Sequence, residues 1–230
     1  EPIDGGANSR VLEVTTADGS RFVAKVYPGL TADGQDRLAV ESEALNLMRR
    51  NGIECVPQPI VSDSVKQCAV FEYVEGAIIT SNKVSESDMD QATLFLARLD
   101  SLKKAPDSSR LPRAAEACFS VRDIIVNLDS RLTSLEGSGA QGFLAAEFAP
   151  AFQRTVERCG DRISSAGESM DAELAVNDRT LSPSDFGFHN AIRRDDGELI
   201  FLDFEYFGWD DPAKMISDFL LHPAMDLSPY

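Results

Sequence analysis

The sequence predicts an α+β chain with a β-rich front portion and a mainly helical remainder, and three observations carry that expectation. "RVLEVTT" and "RFVAKVY" flank "ADGS", an Asp-Gly turn between two β-rich runs, which signals a hairpin. From residue 86 onward apolar residues recur at helical spacing. The β-rich texture then returns in "NAIRRDDGELIFLDFEYF", read as two short strands around Asp196-Gly197.

Within the second run Phe22, Ala24 and Val26 face one way, and Val23, Lys25 and Tyr27 the other, which pins Lys25 mid-strand. "DGQDRLAVESEALNLMRRNG" carries Leu38, Glu41, Leu45 and Met48 at helical spacing and stops at Asn51-Gly52; Glu43 lies on a different face from Leu38 and Leu45. "VPQP" breaks the chain, and "QCAVFEYVEG" is a further strand running into a turn at Gly76. Residues 86–102 read as one helix. Val121, Ile124, Ile125, Leu128 and Leu132 mark another, and a third begins near Phe143, where Pro150 either kinks it or opens a new one. The last helix starts at "DDPAKMISDFLL" with Asp211 as cap, Pro212 at its first position, and Ala213, Ile216, Phe219 and Leu220 facing inward. Two lobes are expected, 1–75 and 76–230, hinged near 72–78.

Composition narrows the function classes. A formal net charge of -16 opposes binding to nucleic acid or an anionic membrane surface and favours, weakly, a cationic small molecule. No apolar run approaches the roughly 20 residues of a membrane helix, and residues 1–30 lack a signal-peptide layout; the expected location is cytoplasmic. Cys55, Cys68, Cys118 and Cys159 lack metal-site spacing and read as free thiols.

"LSPSDFGFHN" contains the letters DFG, which in a protein kinase mark a magnesium loop. Asp185 and Asn190, however, have the D-x-x-x-x-N spacing of a kinase catalytic loop, and Asp203 follows at the end of "ELIFL", the place for the principal metal ligand. Were Asp185 the magnesium ligand, a catalytic Asp and Asn should lie upstream, and "SAGESMDAELAVNDRT" offers none. Asp185 is therefore read as catalytic, and the letters DFG as coincidence.

With these motifs in order, nearly the whole chain resembles the aminoglycoside phosphotransferase and choline kinase superfamily, small-molecule kinases with a bilobal protein-kinase-like fold. The resemblance rests on "GGANSR", "VAKVY", "ESEALNLMRRNG", "FEYVEG", "SDFGFHN", "LDFE" and "DDPAKMISDF". It implies ATP, or another nucleoside triphosphate, with Mg2+, and a small-molecule acceptor hydroxyl on an aminoglycoside, amino-alcohol or sugar. Lys25 would contact the α and β phosphates, held by Glu43. Backbone amides of Gly5, Gly6 and Ala7 would approach the phosphates, with Asn8 nearby, and the backbone of Glu72, Tyr73 and Val74 would pair with the base. Asp203 would chelate magnesium, Asn190 a second ion, and Glu205 a metal through water.

Relatives place a His two residues before the catalytic Asp, where this chain has Pro183. His189 is read either as a hydrogen-bonding substitute or as a structural residue, and His222 and Trp209 as structural. Asp211 and Asp218 match a helix start that supports the catalytic loop. Measured against the resemblance both ends read as short, so the chain is expected to be part of a longer one. Two alternatives stand beside the enzyme: a pseudokinase-like nucleotide-binding regulatory module, and a protein kinase. "EYFGWDDP" leaves the latter no peptide-docking segment of roughly 20 to 30 residues.

Overall fold

The computed structural model describes residues 9–29, 34–80, 83–135 and 141–225. Gly5, Gly6, Ala7 and Asn8 lie outside the described residues. Contacts divide the chain into two units, residues 1–117 with 180–230, and residues 118–179.

The first unit opens with the predicted hairpin, β1 (Arg10–Thr15) and β2 (Arg21–Val26), closed by a turn in which Gly19 takes a φ of 86°. β3 (Pro59–Asp63) and β4 (Cys68–Glu72) complete an antiparallel sheet ordered β1-β2-β4-β3. Helix α1 (Arg37–Arg50) connects β2 to β3. Asp36 caps its first turn, accepting from Ala39 N, and it ends at Asn51 and Gly52, the latter at φ 78°. Its buried face includes Leu38, Glu41, Ala44, Leu45 and Met48.

β4 leads past Glu72 to the short β5 (Ala77–Ile78), which pairs with β7 (Ala191–Arg193); β7 in turn pairs with β8 (Leu199–Phe201). A second small sheet joins β6 (Thr180–Ser182) to β9 (Gly208–Asp210). Helix α2 (Glu86–Leu102), started by a Ser85/Asp88 capping box, buries Ala92, Phe95, Leu96 and Leu99. Phe95 stacks on Phe201 at 4.6 Å, and Phe186 packs against both Phe201 and Phe219 at 5.1 Å. Aromatic rings from α2, β8, the 184–190 loop and the final helix thus share one core.

That final helix, α6 in chain order (Pro212–Leu221), starts as predicted: Asp211 Oδ1 accepts from Ala213 N at 2.6 Å, and Pro212 needs no partner for its missing N–H. Its inward face differs from expectation. Met215 and Phe219 are buried, whereas Ala213, Ile216 and Leu220 are exposed. Phe219 sets the phase by docking on Phe186 and Phe188, and Met215, one turn earlier, follows it.

The second unit holds α3 (Val121–Ser134), α4 (Gln141–Phe143), a π-helical turn over Leu144–Phe148, and α5 (Ala149–Ser165). Pro150 opens α5. Without its N–H the regular ladder lacks a donor there, and Ala149 N reaches back to Leu144 O in a widened turn. Among the described residues no helix is long and apolar enough to cross a membrane.

Candidate active site

Strand β2 delivers Lys25 to a cluster of acids. Lys25 Nζ lies 2.8 Å from Glu41 Oε2, 2.5 Å from Asp203 Oδ1 and 3.0 Å from Glu205 Oε2. Tyr27, two residues on and therefore on the same face of β2, donates its hydroxyl to Glu41 Oε2 at 2.7 Å. The other oxygen of Glu41 accepts from Phe204 N at 3.1 Å, which ties α1 to the strand end that carries Asp203. Ser9 Oγ donates to Glu205 Oε2 at 2.5 Å.

The partner of Lys25 is thus Glu41 and not Glu43. The two stand two positions apart on a helix, roughly 200° around its axis, so only one can face the sheet. Glu41 belongs to the buried stripe with Leu38 and Leu45, and Glu43 points to solvent. Glu205 is buried.

Burial pushes the Lys25 ammonium down, but Glu41, Asp203 and Glu205 outweigh it and hold the lysine well above its usual range. Asp203 moves the opposite way. Burial raises its carboxyl to about 6, against the pull of Lys25 and with help from Glu41 and Glu205. Burial also pushes the Tyr27 phenol up, so it stays a donor.

Glu41, Asp203 and Glu205 each offer an oxygen within 4.8 Å of the others. Three acids facing one lysine leave an excess of negative charge, and an all-oxygen donor set suits a hard divalent cation such as Mg2+. Asp203 also occupies the left-handed region at φ 65°, a conformation that costs a non-glycine residue about 1–3 kcal/mol and persists where its surroundings impose it.

The second cluster sits on the loop after β6. Phe186 and Phe188, both buried, anchor it in the core on either side of Gly187 and leave the Asp185 carboxylate partly exposed. Ser184, at φ 69°, is held by its hydroxyl donating to Ala115 O at 2.8 Å. Asn190 Nδ2 donates to Asp185 O at 3.0 Å, which leaves its Oδ1 as the atom a metal would use. His189 Nε2 lies 3.1 Å from Asp185 Oδ1, and that hydrogen bond, ahead of burial, holds the carboxyl below its usual range. His222 Nε2 approaches the same oxygen at 3.4 Å; burial, reinforced by His189, lowers its basicity.

The β7–β8 hairpin links the two clusters, with Leu202 N donating to Asn190 O at 2.8 Å immediately before Asp203. The fold therefore brings together Lys25, Asp203 and Glu205 on one side and Asp185 and Asn190 on the other. Glu72, Tyr73 and Val74 lie where the chain leaves β4, and the Glu72 carboxylate is occupied by Gln58 N at 3.0 Å. Sequence reasoning missed Glu41, Tyr27, Ser9 and His222 as site residues. Glu41 and Tyr27 had a signal, since the strand and helix periodicities already put them on the faces of Lys25 and Leu38.

A β-strand lysine paired to a helix glutamate beside a strand-end aspartate, on this antiparallel sheet, places the architecture among protein-kinase-like phosphotransferases. The chain belongs to the phosphotransferase enzyme family, which matches it over residues 1–214. In structure it is similar to a spectinomycin phosphotransferase solved with ADP and spectinomycin (TM-score 0.63, 14% identity, 94% of this chain and 67% of that one). It is also similar to the choline kinase LicA of Streptococcus pneumoniae (TM-score 0.62, 17% identity, 100% and 70%) and to an ethanolamine kinase of Plasmodium vivax (TM-score 0.60, 13% identity, 100% and 62%). These relatives are small-molecule kinases of the aminoglycoside phosphotransferase and choline kinase type, and the chain spans about two thirds of their length. By sequence alone, no protein of curated function matches.

Proposed function

We propose that the chain is a Mg2+-dependent phosphotransferase that moves the γ-phosphate of ATP to a hydroxyl of a small molecule. The observation that carries this is the buried Lys25–Glu41 pair beside Asp203, joined through the β7–β8 hairpin to a separate, partly exposed Asp185. Lys25 is the cation for the α and β phosphates. Asp203 and Glu205, with Asn190 Oδ1, are the oxygens that would hold magnesium, which when bound supplies positive charge to the phosphate oxygens. Asp185 takes the proton of the acceptor hydroxyl as its oxygen bonds to the γ-phosphorus, and the bond from that phosphorus to the β–γ bridging oxygen breaks to release ADP.

Gly5, Gly6, Ala7 and Asn8 belong to this proposal as the phosphate-covering loop, and the backbone of Glu72, Tyr73 and Val74 as the base-pairing segment. The acceptor class is an amino-alcohol, aminoglycoside or sugar; the net charge of -16 favours a cationic one. A cytoplasmic location and a division into nucleotide and acceptor lobes near residues 72–78 belong to the same reading.

Calorimetric titration with ATP, with and without Mg2+, tests it together with ADP release across a panel of hydroxyl compounds. Magnesium-dependent binding and acceptor-stimulated release are expected. Binding indifferent to Mg2+ and to Lys25→Met would overturn the reading, and transfer confined to neutral sugars would remove the cationic acceptor.

A further inference from the structure

The turn that follows α6 interlocks with the loop that carries Asp185. The His189 and His222 rings stack with centroids 4.4 Å apart and planes 10° from parallel, and both present Nε2 to Asp185 Oδ1, at 3.1 and 3.4 Å. Phe188 N donates to the sulfur of the buried Met225 at 3.1 Å. Gly187 closes the arrangement: a Cβ there would meet His189 Nδ1 at 2.7 Å and Met225 Sδ at 2.8 Å.

The ring partners assign the protons. Ala224 N donates to His222 Nδ1 at 3.2 Å, so the neutral ring carries its proton on Nε2, toward Asp185. His189 Nδ1 is buried with no partner among the described residues, and a proton there would be a costly unsatisfied donor. Its proton too belongs on Nε2. Asp185, His189 and His222 have the composition of a metal site. Near-parallel rings, however, offer no pair of in-plane lone pairs to one ion, and His189 alone has the geometry of a hydrogen bond to Oδ1, with His222 lying against its face. The second carboxylate oxygen, Oδ2, has one long contact among the described residues, Asn190 Nδ2 at 3.4 Å.

We propose that His189 and His222 are a positioning pair: His189 fixes Asp185 through an Nε2–H bond to Oδ1, His222 fixes His189 by stacking, and Oδ2 is thereby left to take the acceptor's proton. This rests on the phosphotransferase reading above and adds to it the role of the 222–225 turn. His222 is far from Asp185 in sequence, so its contribution is separable by mutation.

Residues 1–230 hold two histidines, so a nitrogen–proton correlation spectrum of the imidazoles of these 230 residues, expressed without a tag, reports this pair alone. Both rings are expected as Nε2–H tautomers. His222→Ala should displace the His189 signals, and His222→Phe, which keeps an aromatic face, should leave them near their wild-type positions. An Nδ1–H tautomer at either ring, or His189 signals indifferent to His222→Ala, would overturn the pair. In turnover, His222→Ala should lower kcat about three- to tenfold, the range of one aromatic stacking contact, with the KM for ATP unchanged. His222→Phe should restore most of kcat. A kcat untouched by His222→Ala, or lost equally in His222→Phe, would refute positioning by stacking. Absence of turnover in the wild type counts instead against the phosphotransferase reading, and the spectra then decide the pair by themselves.

Discussion

Replacing Glu41 by glutamine separates the geometry of this site from the expectation carried by resemblance. Glu41 accepts from Lys25 at 2.8 Å, from the Tyr27 hydroxyl at 2.7 Å and from Phe204 N at 3.1 Å, all within the buried interior. An amide keeps one acceptor oxygen, so either Phe204 N or the Tyr27 hydroxyl is left unsatisfied, at about 1–3 kcal/mol. Breaking a buried ion pair adds as much as about 3–5 kcal/mol when the remaining charge has no partner. Here Lys25 keeps Asp203 and Glu205, so most of that second cost is absent. The net loss is expected at about 2–3 kcal/mol, or roughly 5–10 °C in Tm for a chain of this size. With Lys25 no longer drawn toward α1, ATP affinity should fall roughly tenfold, about 1.4 kcal/mol. Glu43→Gln, at an exposed position, should change stability by less than about 0.5 kcal/mol and leave ATP binding intact. Thermal denaturation and calorimetric titration of both variants decide the matter. A Glu43→Gln effect equal to or larger than that of Glu41→Gln in either readout would contradict Glu41 as the partner of Lys25.

Asp203→Asn should stabilise the metal-free protein at pH 7 while abolishing magnesium-dependent turnover. The Asp203 carboxyl is raised to about 6 from its ordinary 3.8, so the folded state holds the extra proton between those values. Its contribution to stability is fully present below about pH 3.8 and is lost as pH rises through 6, and metal-free denaturation curves from pH 4 to 8 should lose that slope in the variant. Asp185→Asn should lower kcat on the order of 100- to 10,000-fold with ATP affinity retained, as steady-state kinetics and titration together would read. Asp211→Ala removes an acceptor shared by Ala213 N and Lys214 N and should cost about 0.5–2 kcal/mol in urea unfolding.

Local chemistry was legible where a few adjacent residues determine it. The Asp-Gly turns, the Asp211-Pro212 helix start and the stop of α1 at Asn51-Gly52 follow from caps and backbone-permissive residues close in sequence. β3 escaped because it starts at Pro59 on a sheet edge and exposes Ile60 and Val61, so it lacks the alternation of a half-buried strand. β6 and β9, three residues each, leave almost no pattern, and their pairing is a long-range event. The Asp185–Asn190 spacing and the strand-end position of Asp203 located both acids, since each lies on a local motif. At Glu41 helical periodicity is a better guide than motif likeness: it shares the stripe of Leu38 and Leu45 that faces the core, whereas Glu43 is out of phase with it. The stacking of His222 on His189 depends on how α6 docks through Phe219, which no local signal encodes.

The proposed function requires Asp185, Lys25 and Asp203 together to move a phosphoryl group from ATP to a small hydroxyl compound. A phosphorus NMR time course with ATP, Mg2+ and a panel of amino-alcohols, aminoglycosides and sugars tests it most directly. A new phosphomonoester resonance should grow in step with ADP in one acceptor class and be absent with Asp185→Asn. ADP accumulating with inorganic phosphate alone, or an ester formed equally fast by Asp185→Asn, would contradict it.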